Sequence, residues 1–169
     1  SMQKVLLAID GINPDRKVFD YAVQLCQRIK ADLSIFQVIN PRRYKEYLKT
    51  MRKSADNARK YFEGAMVAAT FAEAGEHETA REIMSKALEN INSLLPESEK
   101  AGVQCHFAVK TGNPAKEIID YVNLHRDVVL TIYDASFEGR DGTQGVKREQ
   151  GVSGKIKQKL AVPLVVVQN

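Results

Sequence analysis

The segment from 139 to 155 has the composition that most suggests a phosphate-binding site, because it contains five of the ten glycines of the chain and four basic residues. Glycine allows backbone N–H groups to approach phosphate oxygens, and a following helix N-terminus adds partial positive charge. The glycines do not join the first predicted strand to its helix, and Glu149 stands where a P-loop needs its first glycine. The segment therefore indicates either a phosphate-binding loop or a mobile charged surface loop. These residues are Gly139, Gly142, Gly145, Gly151 and Gly154, with Arg140, Lys147, Arg148 and Lys155.

Residues typical of catalysis are present but not in catalytic arrangements. Cys105 and His106 are adjacent in a predicted strand, so their side chains point to opposite faces. Ser153 is followed at the second position by Lys155, where a nucleophile elbow requires glycine. We therefore predict no catalytic residue, no metal site and no enzymatic activity. The histidines, which lack the spacing of metal ligands, are His77, His106 and His125.

Short apolar runs alternate with helical patterns along the chain. Asp10-Gly11 follows the first run, and Asn13-Pro14 predicts an N-cap and first helical residue for a helix over 14–30. Runs of this length without polar alternation are typical of parallel strands buried on both faces. We predict an α/β fold with a five-stranded parallel sheet and helices on both faces. The predicted strands are 4–9, 33–39, 103–109, 128–132 and 163–167, with helices starting at Pro114 and near 152.

A long helical hairpin is predicted between the second and third strands, over about 42–101. Apolar residues there recur at alternating steps of four and three, which is a 3.5-residue repeat interrupted at Gly75 and ended at Pro96. Residues 42–60 are mainly basic and residues 63–99 mainly acidic, so an antiparallel pair would neutralise its own charge. We predict one domain over 1–169 with this hairpin as an insertion.

Composition excludes several classes of protein. The net charge is +4, but it is divided between the basic and acidic runs and accompanies no nucleic-acid-binding motif. No apolar segment reaches the roughly 18 residues of a membrane span. No secretory signal is visible, and two cysteines, Cys26 and Cys105, are too few for a disulfide scaffold. We expect a cytoplasmic protein with neither a nucleic-acid partner nor a membrane span.

Four sequence blocks, in order, resemble the universal stress protein family. They are 4–11, 36–39, 112–119 with its Gly-x-Pro helix start, and 145–156 continuing into 162–167. The resemblance implies a Rossmann-like sheet of strand order 3-2-1-4-5 and a homodimer paired through the C-terminal strand 163–168. It also implies a stress-response regulator that binds ATP or another adenine nucleotide, with Mg²⁺ accompanying the nucleotide.

The resemblance also assigns residues to the nucleotide site. The family pattern is G-x2-G-x9-G-[S/T], but Ile132 and Ala135 stand in place of its first glycine pair, and Val152 replaces the hydroxyl residue. Gly139 and Gly142 restore the first spacing further along the chain. Asp10 has a second interpretation, because Asp-Gly after a strand is also ordinary turn chemistry. The implied residues are Asp10 and Val38 on the adenine and ribose side, and Gly139, Gly142, Gly151, Val152 and Ser153 on the phosphate side.

Two functions follow from these observations. The first is a regulatory protein that binds an adenine nucleotide weakly. The second is a dimeric interaction module that has lost nucleotide binding and uses the helical hairpin as its surface for a protein partner. Packing of the hairpin onto its own sheet explains the alanine-rich repeat equally well.

Overall fold

The computed structural model describes residues 2–59, 76–135 and 151–167, and it contains one five-stranded parallel sheet. The strand order is β3-β2-β1-β4-β5, which confirms the predicted order and fold class. The strands are β1 Lys4–Asp10, β2 Asp32–Ile39, β3 Cys105–Thr111, β4 Val128–Asp134 and β5 Leu164–Val167. Strand order reverses at β1, so β1 lies between β2 and β4 and its carboxyl end is the switch point where such sheets bind ligands.

Helices cover both faces of this sheet because β1 is apolar on both. Val5, Leu7 and Ile9 pack in one core with the helix Arg16–Ile29, whereas Leu6 and Ala8 pack in a second core with the helices Pro114–Leu124 and Val152–Lys159. The helices are α1 Arg16–Ile29, α2 Tyr44–Arg59, α3 Glu76–Asn92, α4 Leu95–Lys100, α5 Pro114–Leu124 and α6 Val152–Lys159, with a 3₁₀ turn at Pro41–Arg43.

The predicted N-cap of α1 is wrong, and the helix begins two residues later than expected. Asp15 is the cap, since its backbone is extended and its Oδ1 accepts from the N–H groups of Lys17 at 2.8 Å and Val18 at 3.1 Å. The side-chain oxygen of Asn13 instead accepts from Nδ2 of Asn90 in α3, at 2.9 Å. A contact with a distant residue therefore occupies the Asn13 side-chain oxygen that the local sequence pattern predicted to cap the helix.

The described parts of the predicted hairpin are helical and anchored to the sheet. Tyr47 of α2 and Ile83 and Ala87 of α3 are buried in a third apolar cluster with Ile12 and Ile39. The predicted turn at Gly75 lies outside the described residues. The prediction that Pro96 ends the second helix is wrong, because α3 ends at Asn92 and Pro96 lies in the first turn of α4. Proline suits that position, where its missing N–H has no helical partner.

Candidate functional site

Asp10 and Val38 lie side by side where β1 and β2 end, since the register pairs them directly. Asp10 is 3% exposed and Val38 is fully buried. Gly11 turns the chain at the edge with φ of 109°, a conformation that favours glycine, and its N–H donates to the carbonyl of Val38 at 3.1 Å. Gln37, also fully buried, donates from Nε2 to the carbonyl of Gly11 at 3.2 Å. The Asp-Gly turn is thus held in place by β2.

One buried tyrosine, Tyr133, contacts the Asp10 carboxylate, and the charge of that carboxylate acts on a second, Tyr47. The hydroxyl of Tyr133, from β4, lies 3.5 Å from Asp10 Oδ2, a long contact for a hydrogen bond. The hydroxyl of Tyr47 accepts from the N–H of Asn40 at 3.1 Å. Burial first, and then the Asp10 charge, raise the pKa of Tyr47 well above its ordinary value, whereas the hydrogen bond from the N–H of Asn40 and then the charge of Arg43 lower that pKa. The phenol of Tyr47 therefore stays protonated at neutral pH.

A second buried carboxylate, that of Asp134, ends β4 on the other side of β1. Asp134 is 2% exposed, and its Oδ2 accepts from the N–H of Asp15 at 2.9 Å. Tyr133 and Asp134 are consecutive strand residues, so they face opposite sides of the sheet. Because Asp10 lies with Tyr133, the two carboxylates do not form a paired acidic site. Across the described ranges, no group of three His, Cys, Asp or Glu residues is arranged to hold a metal ion.

Three of the five predicted phosphate-side residues are at the start of α6. Gly151 is the N-cap, Val152 is the first helical residue and Ser153 the second, with Ser153 9% exposed. Gly151, as the N-cap residue, has no side chain with which to cap this helix. Val152 packs in the same apolar cluster as Val38 and Tyr133, which brings the start of α6 to the sheet face of Asp10. Gly139 and Gly142 lie outside the described residues.

The end of β4 differs from the sequence prediction. Ile132, expected at the strand end, is fully buried inside the strand, and β4 continues to Asp134. Tyr133, Asp134 and Ala135 therefore occupy the edge, all of them buried. Sequence reasoning missed Tyr133 and Asp134 as site residues. The signal for Asp134 was present, since it is an acidic residue after an apolar run, as Asp10 is.

Comparison with known proteins agrees with this fold. The profile of the universal stress protein family matches residues 2–126. The universal stress protein UspA from Lactobacillus plantarum is 14% identical with a TM-score of 0.60, covering 98% of this chain and 97% of that chain. A family protein from Arabidopsis thaliana with AMP bound is 15% identical with a TM-score of 0.53, covering 99% of this chain and 92% of that one.

A universal stress protein from Archaeoglobus fulgidus in complex with dAMP is 12% identical with a TM-score of 0.50, covering 97% of this chain and 96% of that one. No curated protein sequence matches the chain significantly. The structure is that of an α/β protein whose parallel sheet has its switch point at β1. Proteins with sheets of this kind bind ligands at such a point. The family match extends over most of its length, and the chain belongs to the universal stress protein family.

The family match ends at residue 126, before β4 and α6. The matched part contains Asp10 and Val38, whereas the unmatched part contains Tyr133, Asp134 and Gly151. The residues predicted for the adenine and ribose side therefore lie within the matched part of the chain, whereas Gly151, predicted for the phosphate side, lies beyond it. Within the described residues, no helix has both the length and the apolar character to cross a membrane.

Proposed function

We propose that this protein binds an adenine nucleotide at the carboxyl edge of β1, β2 and β4, and that it acts in the cytoplasm as a non-catalytic stress-response regulator. The observation that carries the proposal is the pairing of Asp10 with Val38 at adjacent strand ends, both buried. A buried carboxylate accepts a hydrogen bond from an exocyclic amine, and an apolar side chain beside it contacts a planar base. Family proteins crystallised with AMP and with dAMP support this choice of ligand.

The phosphate side supports weak binding. The candidate donors to one phosphate are the backbone N–H groups of Gly151 and of the first turn of α6, with Ser153 beside them. At the end of β4, however, Ile132 and Ala135 stand where the family pattern has its first glycine pair. We infer that ATP with Mg²⁺ binds this protein more weakly than it would bind a site with the complete glycine pattern. Gly139 and Gly142 are further candidates for the phosphate side.

Calorimetric titration of the purified protein with AMP tests the proposal. We expect saturable binding that weakens at least tenfold in Asp10→Asn, because a hydrogen bond to a charged group contributes about 1.5–3 kcal/mol. Asp127→Asn is the matched control, since it removes one carboxylate at the start of β4, where Asp127 pairs with Lys4 at 3.1 Å. Equal AMP affinity in wild type and Asp10→Asn would contradict the role of Asp10.

We also propose a homodimer paired through residues 163–168. β5 is an edge strand that pairs with β4 alone in the sheet, and Val166 is 39% exposed. An apolar edge strand of this kind is a ready surface for pairing with a second copy. We expect Val166→Lys to convert the dimer to a monomer in sedimentation velocity, whereas Leu88→Lys, at an equally exposed apolar position on α3, leaves it dimeric. A wild-type monomer at tens of micromolar would contradict the proposal.

The second candidate function is the interaction module without a nucleotide. One observation favours it: Tyr133 is fully buried beside Asp10 and occupies part of the edge that a base would use. In this case the folded dimer binds neither adenosine, AMP nor ATP, and the hairpin of α2 and α3 carries the function. A variant with a shortened hairpin that still captures its protein partner would exclude this candidate.

A further inference from the structure

A side chain of α3, that of Asn90, holds the loop that follows Asp10. Its Nδ2 lies 2.7 Å from the carbonyl oxygen of Ile12 and 2.9 Å from Oδ1 of Asn13. An amide nitrogen has two hydrogens to donate, so Asn90 can give one to each of these consecutive residues. The contacts join parts of the chain that are 78 and 77 residues apart. They connect the edge that carries Asp10 with the second helix of the predicted hairpin.

Apolar packing fixes the same loop to the same helix. Ile12 is 2% exposed, and it lies in the third apolar cluster with Ile83 and Ala87 of α3 and Tyr47 of α2. The loop therefore contacts the hairpin through both its backbone and a buried side chain.

The other attachment of the loop is to β2, through Gly11. The N–H of Gly11 donates to the carbonyl of Val38 at 3.1 Å, and its carbonyl accepts from Nε2 of Gln37 at 3.2 Å. Gly11 alone separates Asp10 from Ile12, so a shift of α3 that moves Ile12 strains the turn that sets Asp10 beside Val38. The position of α3 and the geometry of the candidate site therefore depend on each other.

We propose that Asn90 is a positioning residue for the candidate nucleotide site, and that nucleotide binding and the packing of α3 against the loop stabilise each other. This inference rests on the proposed nucleotide-binding function and adds to it a means of regulation, because the hairpin takes part in the site. A nucleotide at Asp10 and Val38 favours packed α3, and loss of this packing lowers the nucleotide affinity by the same factor, since such coupling is reciprocal.

Hydrogen–deuterium exchange of the whole chain, with and without saturating AMP, measures the coupling. We expect AMP to slow exchange in α3 of the wild-type protein about fivefold, the lower end of typical couplings between sites. In Asn90→Ala, AMP should bind about fivefold more weakly in calorimetric titration, and it should slow exchange in α3 less than in wild type. A residue with a purely structural role would speed exchange in α3 and leave the effect of AMP unchanged.

Glu89→Gln is the matched control in the same helix. Glu89 is the neighbour of Asn90, but its exposed side chain pairs with Lys86 at 3.5 Å rather than with the loop. We expect this variant to keep the wild-type AMP affinity and the wild-type response of α3 to AMP.

The outcomes separate this inference from the proposed function. Wild-type protein that binds AMP without slower exchange in α3 overturns the coupling and leaves nucleotide binding intact. The same holds if Asn90→Ala binds AMP as tightly as wild type. Folded protein that binds no AMP overturns both proposals. If Asn90→Ala fails to fold, Asn13→Ala takes its place, since it removes one acceptor of Asn90 from an exposed residue. Unchanged AMP affinity and an unchanged response of α3 in that variant overturn the role of Asn90.

Discussion

Tyr47 allows a prediction that combines a buried hydrogen bond with a pKa. Its side chain is fully buried, and its hydroxyl accepts from the N–H of Asn40 at 3.1 Å. Tyr47→Phe removes this acceptor and leaves the N–H without it, a change that costs about 1–3 kcal/mol for a buried group. Because Asn40 itself is only half-buried, water partly replaces the hydroxyl. We expect Tyr47→Phe to lower the free energy of unfolding at pH 7 by about 1–2 kcal/mol.

The difference in the free energy of unfolding between wild type and Tyr47→Phe should depend on pH. Burial, and then Asp10, raise the pKa of Tyr47 in the folded state above the ordinary value of 10.0. Below that pH, Tyr47 is protonated in both states and its stabilisation is complete. As the pH rises further, the unfolded phenol ionises while the folded phenol does not, so stabilisation is lost. One pH unit above the ordinary pKa, this loss is about 1.4 kcal/mol, and phenylalanine does not have it.

Urea unfolding followed by circular dichroism at pH 7, 9 and 11 measures the difference. A reductant keeps both thiols free, so that their ionisation contributes equally to wild type and variant. Tyr21→Phe is the control, because Tyr21 is 43% exposed and loses the same hydroxyl without a buried partner. We expect the Tyr47→Phe difference to approach zero at pH 11. A difference that is the same at all three values would refute the assigned environment of Tyr47.

Three further predictions concern stability and reactivity. Asn113→Ala should lower the free energy of unfolding, measured in urea, by about 1 kcal/mol, because the Asn113 side chain caps α5 by accepting from the N–H of Lys116 at 3.1 Å. Asn113→Asp keeps this cap and should not lower the free energy of unfolding. Ile83→Ala should lower the free energy of unfolding by about 2–5 kcal/mol in the same assay, since Ile83 of α3 is fully buried in the third apolar cluster. A smaller loss would mean that α3 is not anchored there. Burial raises the pKa of Cys26 to about 12 and that of Cys105 to about 11, so Ellman's reagent at pH 8 should label both slowly in native protein and rapidly in urea. Fast native labelling of Cys26 would contradict its burial.

The strands of the sheet could be predicted because each has a recognisable local sequence pattern. A run such as Val5 to Ile9 is apolar on both faces, and this is what a parallel strand between two helical layers requires. The position of Asp10 at the end of β1 followed from the same run. The strand order and its switch point came from the family resemblance, and the structure confirms them.

Contacts between distant residues set the features that sequence reasoning missed. Asn13 and Asp15 are both good helix caps, and the Asn13 oxygen is taken by Asn90, 77 residues away. The end of β4 was predicted at Ile132, two residues too early, because the apolar run ends there and β4 continues to Asp134. Tyr133 and Asp134 are both buried by partners from other elements, namely Asp10 and the backbone of Asp15. Local pattern contains no information on such partners.

Asp134 meets a requirement that the fold itself creates. The first N–H groups of an α-helix have no partner within the helix and need acceptors from elsewhere. Asp134 supplies one of these acceptors from the end of β4, since its Oδ2 accepts from the N–H of Asp15 at the start of α1 at 2.9 Å. The sequence could not show this contact, because 119 residues separate Asp134 from Asp15 and the contact forms only once β4 lies beside β1 in the sheet.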